Sequence, residues 1–131
     1  MRVLIVDDEP PARRKVRRFL EEAGPVDAIA EAGAGSEAIE AIRSFRPDLL
    51  FLDVQMPDMD GPAVLDALHE LDPSLPCVFL TGHSGRYTNE ELINRGAVLV
   101  VAKPVTSNDL NGVVEACRKV LPLIAHSGAD G

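Results

Sequence analysis

Three aspartates follow two short apolar runs in this chain, and carboxylates in such positions can bind a metal ion. Asp7 and Asp8 come directly after the run MRVLIV, and Asp53 comes directly after LLFL. Short apolar runs bounded by polar residues are typical of buried parallel strands, whose carboxyl ends meet at one edge of a sheet. If the two strands are neighbours, the three carboxylates converge, and they stay ionised only with a cation among them. Mg²⁺ is the divalent ion that best suits such a set of oxygen ligands.

The composition is that of one folded domain, with 131 residues of which 46% are hydrophobic and 26% charged. The net charge of −8 argues against nucleic acid or an anionic membrane as the main partner. No apolar run approaches the ~18 residues of a membrane span, and the acidic start MRVLIVDDE does not resemble a signal peptide. We therefore expect a cytoplasmic protein in which Cys77 and Cys117 are reduced and buried as small hydrophobic residues.

Strand-like runs alternate with helix-like segments along the chain. The predicted strands are Val3–Val6, Val26–Ala30, Asp48–Leu52, Cys77–Leu80 and Val98–Val101. Apolar residues at helical spacing predict a helix after each strand. Residues that begin or end these helices are Pro10 and Gly24 for the first, Ser36 (as N-cap) and Pro47 for the second, Pro62 for the third, and Thr88 and Gly96 for the fourth.

Strict alternation of strands and helices predicts an α/β fold with a doubly wound parallel sheet of five strands. A domain of this size with one switch point is flavodoxin-like, (βα)₅, with strand order 2-1-3-4-5. In that order the first and third strands are neighbours, which brings the three aspartates together. The fourth and fifth strands lie beyond the third, and their carboxyl ends carry Thr81 and Lys103.

These strand ends supply the groups that transfer of a phosphoryl group to a carboxylate requires. Asp53 is the candidate nucleophile, which would form an acyl phosphate, and the aspartate pair would hold the metal. The backbone carbonyl of Gln55 could complete the metal shell. Lys103 can place an ammonium charge, and Thr81 a hydroxyl donor, on the phosphoryl oxygens.

Four stretches, in this order, resemble the receiver domain of bacterial two-component response regulators. They are VLIVDDEP (3–10), LLFLDVQMPDMDG (49–61), FLTG (79–82) and AKP (102–104). The resemblance extends to Leu121, so we expect a receiver domain over residues 1–121 and a flexible tail over residues 122–131.

The resemblance implies phosphotransfer from the phosphohistidine of a sensor histidine kinase or histidine phosphotransfer protein to Asp53, with Mg²⁺ required. It also implies a cis peptide bond between Lys103 and Pro104. Phosphorylation would change binding to a downstream output protein of unknown identity, or favour a homodimer. The domain would not be an enzyme with a separate substrate, because its only turnover would be slow loss of its own phosphoryl group.

Two features depart from the family pattern. The position three residues before the lysine usually carries Tyr or Phe, but here it is Val100, which has no ring to rotate. Any switch must therefore run through the loop Gly82–Thr88 and the short fourth helix, where Tyr87 is the available aromatic residue. In addition, family members commonly carry an effector domain after the last helix, whereas this sequence stops at Gly131, and a longer protein trimmed to its receiver would look the same.

Other functions remain compatible with parts of this pattern. Val100 and the lack of an effector domain in this sequence fit a receiver-like interaction domain that works without phosphorylation. Against this interpretation, all five residues of the expected phosphorylation site are intact: Asp7, Asp8, Asp53, Thr81 and Lys103. A flavodoxin would need a phosphate loop rich in glycine and hydroxyl groups after the first strand, where this chain is acidic. An aspartyl-phosphate phosphatase would need a second acid where Gln55 stands.

The first predicted helix carries a basic cluster. Such a run is either a solvated face or, as the family resemblance implies, a surface that docks an acidic face of the kinase. The residues of this cluster are Arg13, Arg14, Lys15, Arg17 and Arg18.

Overall fold

The computed structural model describes residues 1–24, 26–58, 60–82 and 87–117. Within these ranges the strands are β1 (Arg2–Val6), β2 (Ala28–Ala32), β3 (Leu49–Asp53), β4 (Cys77–Thr81) and β5 (Leu99–Ala102). The helices are α1 (Pro10–Ala23), α2 (Gly35–Phe45), α3 (Gly61–Leu71), α4 (Asn89–Asn94) and α5, whose described part is residues 107–117. The predicted end of the receiver domain at Leu121 and the predicted tail, 122–131, lie outside the described residues.

The sheet has the order β2-β1-β3-β4-β5 and is parallel throughout, which confirms the predicted doubly wound fold. Val6 at the end of β1 pairs with Ala32 of β2 and with Leu52 of β3. Thr81 at the end of β4 pairs with Ala102 of β5. The carboxyl ends of all five strands therefore meet at one edge, which is where the aspartates emerge.

Apolar side chains cover both faces of the sheet. On one face, residues of β1, β3 and β4 pack against α2, α3 and α4, a set that we call the α2–α3–α4 core. On the other face, residues of the same strands pack against α1 and α5, the α1–α5 core. The central strand β3 is buried on both faces, which explains why it reads as an unbroken apolar run.

The second strand lies two residues later than predicted, at Ala28–Ala32 rather than Val26–Ala30. Its register with β1 continues until Ala32 lies opposite Val6, so the strand includes the charged residue Glu31. Glu31 is accommodated because β2 is an edge strand and arginines of α1 pair with its carboxylate.

The predicted cap of α2 by Ser36 is wrong, because this helix begins at Gly35 and Ser36 lies within it. Its N-cap residue, Ala34, offers no side-chain acceptor. Instead the Gly35 N–H donates to both carboxylate oxygens of Asp58, at 3.2 and 3.1 Å, in the loop after β3. Thr88 does cap α4, since its hydroxyl oxygen accepts the Glu91 N–H at 3.1 Å.

None of the helices in the described part of the chain is long and apolar enough to cross a bilayer. Cys77 is buried and Cys117 is half-buried, and both are free thiols.

Candidate functional site

The three aspartates predicted to converge do so at the carboxyl edge of the sheet. One carboxylate oxygen from each of Asp7, Asp8 and Asp53 lies within 4.8 Å of the others. Asp7 is 0% and Asp53 5% exposed, and they are the buried charged side chains of the described chain. The neighbouring positions of β1 and β3 cause this convergence, because each aspartate lies at or just beyond the end of its strand.

The two members of the aspartate pair differ in their surroundings. Asp7 Oδ1 accepts the Glu9 N–H at 3.0 Å, and Asp7 Oδ2 accepts a hydrogen bond from the Lys103 ammonium at 2.7 Å. Asp8 is half-buried, and no residue within 1–24, 26–58, 60–82 or 87–117 donates a hydrogen bond to its carboxylate. Both Asp7 oxygens thus have protein donors, so Asp8 is the member of the pair that can turn its oxygens toward an ion.

Lys103 lies directly after β5 and places its ammonium between two of the acids. Its Nζ is 2.7 Å from Asp7 Oδ2 and 3.4 Å from Asp53 Oδ1. Its backbone N–H donates to the Thr81 carbonyl at 2.7 Å, and its peptide bond to Pro104 is cis. Burial alone would lower the pKa of Lys103, but the hydrogen bond and charge of Asp7, together with Asp53, raise it. The lysine is therefore a fixed positive charge at the site.

Burial, followed by the negative charge of Asp7, raises the pKa of Asp53 to about 6. The charge of Lys103 and the Gln55 N–H, which lies 3.4 Å from Asp53 Oδ1, oppose this effect without cancelling it. The Asp53 anion is therefore destabilised where it stands, and a cation among the three carboxylates would relieve this cost. A cluster made only of carboxylate oxygens fits Mg²⁺ and does not fit zinc, which prefers nitrogen and sulfur ligands.

The remaining predicted site residues lie at or near the same edge. Thr81 ends β4 and is half-buried, and the preceding residue, Leu80, pairs with Asp53. Gln55 is exposed two residues beyond Asp53. Val100 lies on β5 opposite Phe79 and packs, half-buried, against the α2–α3–α4 core.

Close backbone packing fixes the loop between β3 and α3. The Gly61 N–H donates to the Val54 carbonyl at 2.7 Å. A Cβ added at Gly61 would lie 2.6 Å from the Asp53 carbonyl oxygen and 2.8 Å from the Val54 Cα, both backbone atoms. Glycine at this position therefore lets α3 begin directly against the strand end that carries Asp53.

A hydrogen bond that the sequence did not predict joins this loop to the segment after β4. The Tyr87 hydroxyl donates to Asp60 Oδ2 at 2.8 Å, while Asp60 Oδ1 accepts the Ala63 N–H at 2.9 Å and caps α3. Tyr87 is the single tyrosine of the chain and the aromatic residue of the predicted switch loop, but nothing in the sequence indicated Asp60 as its partner. Residues 83–86 of the predicted switch loop, Gly82–Thr88, lie outside the described residues.

The basic cluster of α1 is largely paired with nearby acids. Arg13 and Arg17 both form ion pairs with Glu31 of β2, at 3.0 and 2.7 Å. Arg18 lies 4.0 Å from Glu22 on the same helix, in a pair exposed enough to contribute little to stability. Arg13 also donates to the backbone of Asp7, a contact with the acidic site that spacing along the sequence could not show.

Comparison with known proteins assigns this arrangement to a family. The family model of the response regulator receiver domain matches residues 3–115. A protein-glutamate methylesterase/protein-glutamine glutaminase 3 of Paramagnetospirillum magneticum is 39% identical over 128 residues, which are 93% of this chain and 35% of the relative. The transcriptional regulatory protein PdtaR of Mycobacterium tuberculosis is 37% identical over 116 residues, 87% of this chain and 55% of the relative.

A solved structure supports the same assignment. The signal receiver domain of a putative LuxO repressor protein from Vibrio parahaemolyticus superposes with a TM-score of 0.85 at 28% identity, covering 96% of this chain and 95% of that one. The chain spans about a third of one and about half of the other of the two relatives named above, so the similarity concerns only that part of each. The chain belongs to the receiver domain family of two-component response regulators.

Proposed function

We propose that this receiver domain accepts a phosphoryl group on Asp53 from the phosphohistidine of a sensor histidine kinase or histidine phosphotransfer protein. The observation that carries the proposal is a buried Asp53 carboxylate at the sheet edge, 3.4 Å from the Lys103 ammonium and clustered with two further acids. Phosphorylation would then alter binding to an output partner.

In the proposed step an oxygen of the ionised Asp53 attacks phosphorus. A new oxygen–phosphorus bond forms, the nitrogen–phosphorus bond of the donor breaks, and its electron pair stays on the imidazole nitrogen. Lys103 would offset negative charge on a phosphoryl oxygen, and the Thr81 hydroxyl would donate a hydrogen bond to another. Lys103 already lies between two acids, so it need not enter the site from solvent when the phosphoryl group arrives.

Asp8, Asp53 and the Gln55 carbonyl would hold Mg²⁺, and Asp7 would support the site from its buried position. When bound, the ion would neutralise part of the charge on the carboxylates and on the incoming phosphoryl oxygens. This role agrees with the raised pKa of Asp53, since three carboxylates in this space are costly without a cation.

The receiver unit would act as a phosphorylatable binding module rather than as an enzyme with its own substrate. Slow loss of the phosphoryl group from Asp53 would be its only turnover. We propose that the unit extends over residues 1–121 and works in the cytoplasm, where its kinase and its output partner meet it.

Treatment with acetyl phosphate and Mg²⁺ tests the assignment. Intact mass and a phosphate-affinity gel should show one added phosphoryl group, which hydroxylamine removes as it does from acyl phosphates. Asp53→Asn should abolish the addition. Asp66→Asn should not change it, because Asp66 is an exposed residue of α3 in an ion pair with Arg95.

Three outcomes would contradict the proposal. Phosphate recovered on a serine or threonine, or full phosphorylation of Asp53→Asn, would exclude Asp53 as the acceptor. A wild-type chain that takes up no phosphoryl group would favour the interaction module independent of phosphorylation, the alternative that Val100 leaves open.

A further inference from the structure

A guanidinium group of α1 contacts the backbone directly behind the aspartate pair. Arg13 Nη1 donates to the Asp7 carbonyl oxygen at 2.6 Å. This carbonyl belongs to the peptide unit that links Asp7 to Asp8, so the contact fixes the plane of that peptide. The direction in which Asp8 leaves the strand depends on the same plane.

The Asp7 backbone is held from both sides. Its N–H donates to the Ala32 carbonyl of β2 at 3.1 Å, and its C=O accepts from Arg13. The regular ladder between β1 and β2 ends at the pair Val6 and Ala32, so Arg13 supplies the next hydrogen bond beyond the sheet. Hydrogen bonds therefore hold the peptide units on both sides of Asp7.

Glu31 holds the Arg13 guanidinium in place. Arg13 Nε lies 3.0 Å from Glu31 Oε1, and the two side chains are only 18% and 26% exposed. The other Glu31 oxygen accepts from Arg17 Nε at 2.7 Å, and Arg17 Nη2 donates to the Ile29 carbonyl at 3.1 Å. Arg17 therefore shares the carboxylate with Arg13 but makes its backbone contact in the middle of β2, away from the acidic turn.

Gly33 leaves room for this arrangement. A Cβ added there would lie 3.2 Å from Arg13 Nη1, a distance at which the guanidinium would have to move. The atom that would be displaced is the one that contacts the Asp7 carbonyl. Because Gly33 has no side chain, it leaves space for the Arg13 guanidinium at the edge of the site.

We propose that Arg13 is a positioning residue for the metal site. It acts through the Asp7–Asp8 peptide, with Glu31 as its anchor, and it sets the affinity of the aspartate pair for Mg²⁺. The inference rests on the proposed function, because it requires that the carboxylates bind Mg²⁺. Arg13 would not touch the ion, and its effect would be to direct Asp8 and to offset part of the repulsion within the pair.

Three variants separate positioning from general stability. Arg13→Ala removes the contact with the Asp7 carbonyl, Arg13→Lys keeps the charge but not the fork that reaches both partners, and Arg17→Ala is the matched control on the same helix with the same Glu31. Mg²⁺ affinity is measured by titration followed through amide chemical shifts, and the free energy of unfolding by urea without Mg²⁺.

We expect Arg13→Ala to weaken Mg²⁺ binding by about 10-fold, the order typical for residues that orient metal ligands. Arg13→Lys should recover only part of this loss, because a single ammonium cannot hold Glu31 and the Asp7 carbonyl together. Arg17→Ala should change the Mg²⁺ affinity less than about twofold, even though both alanine variants lose a bond to Glu31 and should destabilise the fold similarly.

Equal Mg²⁺ affinity in wild type and Arg13→Ala would overturn the inference and leave the proposed function intact. An equal loss in Arg17→Ala would also overturn it, because the effect would then follow general destabilisation. Absence of Mg²⁺ binding by the wild type would instead overturn the metal site on which both rest. If Arg13→Ala does not fold, Glu31→Gln gives a second test, since it weakens the anchor of Arg13 and should lower the affinity by about threefold.

Discussion

The Lys103 ammonium donates a hydrogen bond of 2.7 Å to the buried Asp7 carboxylate, joining the end of β5 to the end of β1 across 96 positions of sequence. Its distance to Asp53, 3.4 Å, is longer. Without a phosphoryl group, the lysine thus mainly neutralises an acid of the proposed metal site. Its removal would leave two buried carboxylates facing each other.

Lys103→Ala should therefore destabilise the domain in the absence of Mg²⁺. We expect a loss of about 2 kcal/mol in the free energy of unfolding, less than for a fully buried pair because Lys103 remains 21% exposed. Saturating Mg²⁺ should recover part of this loss, since the ion replaces the missing positive charge. Urea unfolding with and without Mg²⁺ measures both quantities. Arg14→Ala, at an exposed position of α1, is the control, and a Lys103→Ala chain as stable as this control would contradict the prediction.

The raised pKa of Asp53 predicts a pH dependence of stability. Its pKa is about 6 in the folded chain and near the ordinary value of 3.8 when unfolded, so the folded state binds more protons between these values. Protonated Asp53 therefore stabilises the folded domain below pH 4, and this stabilisation is lost as the pH rises through 6. At pH 8, Asp53→Asn should be more stable than wild type by up to about 3 kcal/mol without Mg²⁺, because each pKa unit corresponds to about 1.4 kcal/mol.

Mg²⁺ binding should depend on the same protonation of Asp53, and it should become stronger as the proton is lost. A protonated Asp53 is a poor ligand, so Mg²⁺ affinity should rise steeply between pH 5 and pH 7 and then level off. Titrations at several pH values check this, with urea unfolding of wild type and Asp53→Asn at pH 4 and pH 8 as the companion measurement. A difference in stability between the two chains that does not change with pH would show that Asp53 does not titrate in this range.

Gly61→Ala should damage the site because its new Cβ would meet backbone and not a movable side chain. The contacts of 2.6 Å with the Asp53 carbonyl and 2.8 Å with the Val54 Cα require a shift of the strand end that carries Asp53 or of the start of α3. We expect a loss of about 1–3 kcal/mol in unfolding free energy and slower phosphorylation by acetyl phosphate.

Gly112→Ala provides the matched control for that experiment. Nothing lies within 4 Å of a Cβ at Gly112, which is an exposed residue of α5. The change should leave phosphorylation unaltered and stabilise the helix by about 0.5–1 kcal/mol. If Gly112→Ala lost stability and Gly61→Ala did not, the contacts expected for a Cβ at these two positions would not explain the result.

The strand order and the meeting of the three aspartates were predictable from the sequence because they depend on one periodic property. Alternating apolar runs and amphipathic segments allow few parallel topologies, and in the one that forms Asp7 and Asp53 must share an edge. The end of β2 was placed too early because Glu31 is charged, and its compensation by Arg13 and Arg17 is a contact between elements.

The contacts of Asp58 and Tyr87 could not be predicted from the sequence, because each joins residues that lie far apart along the chain. Asp58 caps α2 across 23 positions and Tyr87 reaches Asp60 across 27, so neither bond leaves a local pattern. The sequence pointed instead to Ser36 as the cap of α2, and the chain contains several acids, none of which its spacing marks as the partner of this helix. Packing between elements decides which residue supplies such a bond.

Because β5 carries Val100 in place of an aromatic residue, the proposed phosphorylation would need another route to the surface of the domain. Tyr87 packs against the same α2–α3–α4 core as Val100, and its hydroxyl bonds to Asp60 in the loop that follows Asp53. This bond connects the segment after β4 to the segment after Asp53. We therefore expect beryllofluoride with Mg²⁺, which mimics a phosphoryl group, to slow hydrogen exchange most over residues 81–95 and only weakly over residues 98–101.

Two variants test whether Tyr87 carries this response. Tyr87→Phe keeps the ring but removes the bond to Asp60, so exchange over residues 81–95 should speed up by the equivalent of about 1 kcal/mol, and the protection gained with beryllofluoride should shrink. Val100→Tyr restores a ring on β5 and should change the size of the response without affecting phosphorylation of Asp53. Exchange measured by mass spectrometry resolves these segments. If residues 98–101 gain the most protection, or if Tyr87→Phe responds as the wild type does, the response does not run through Tyr87.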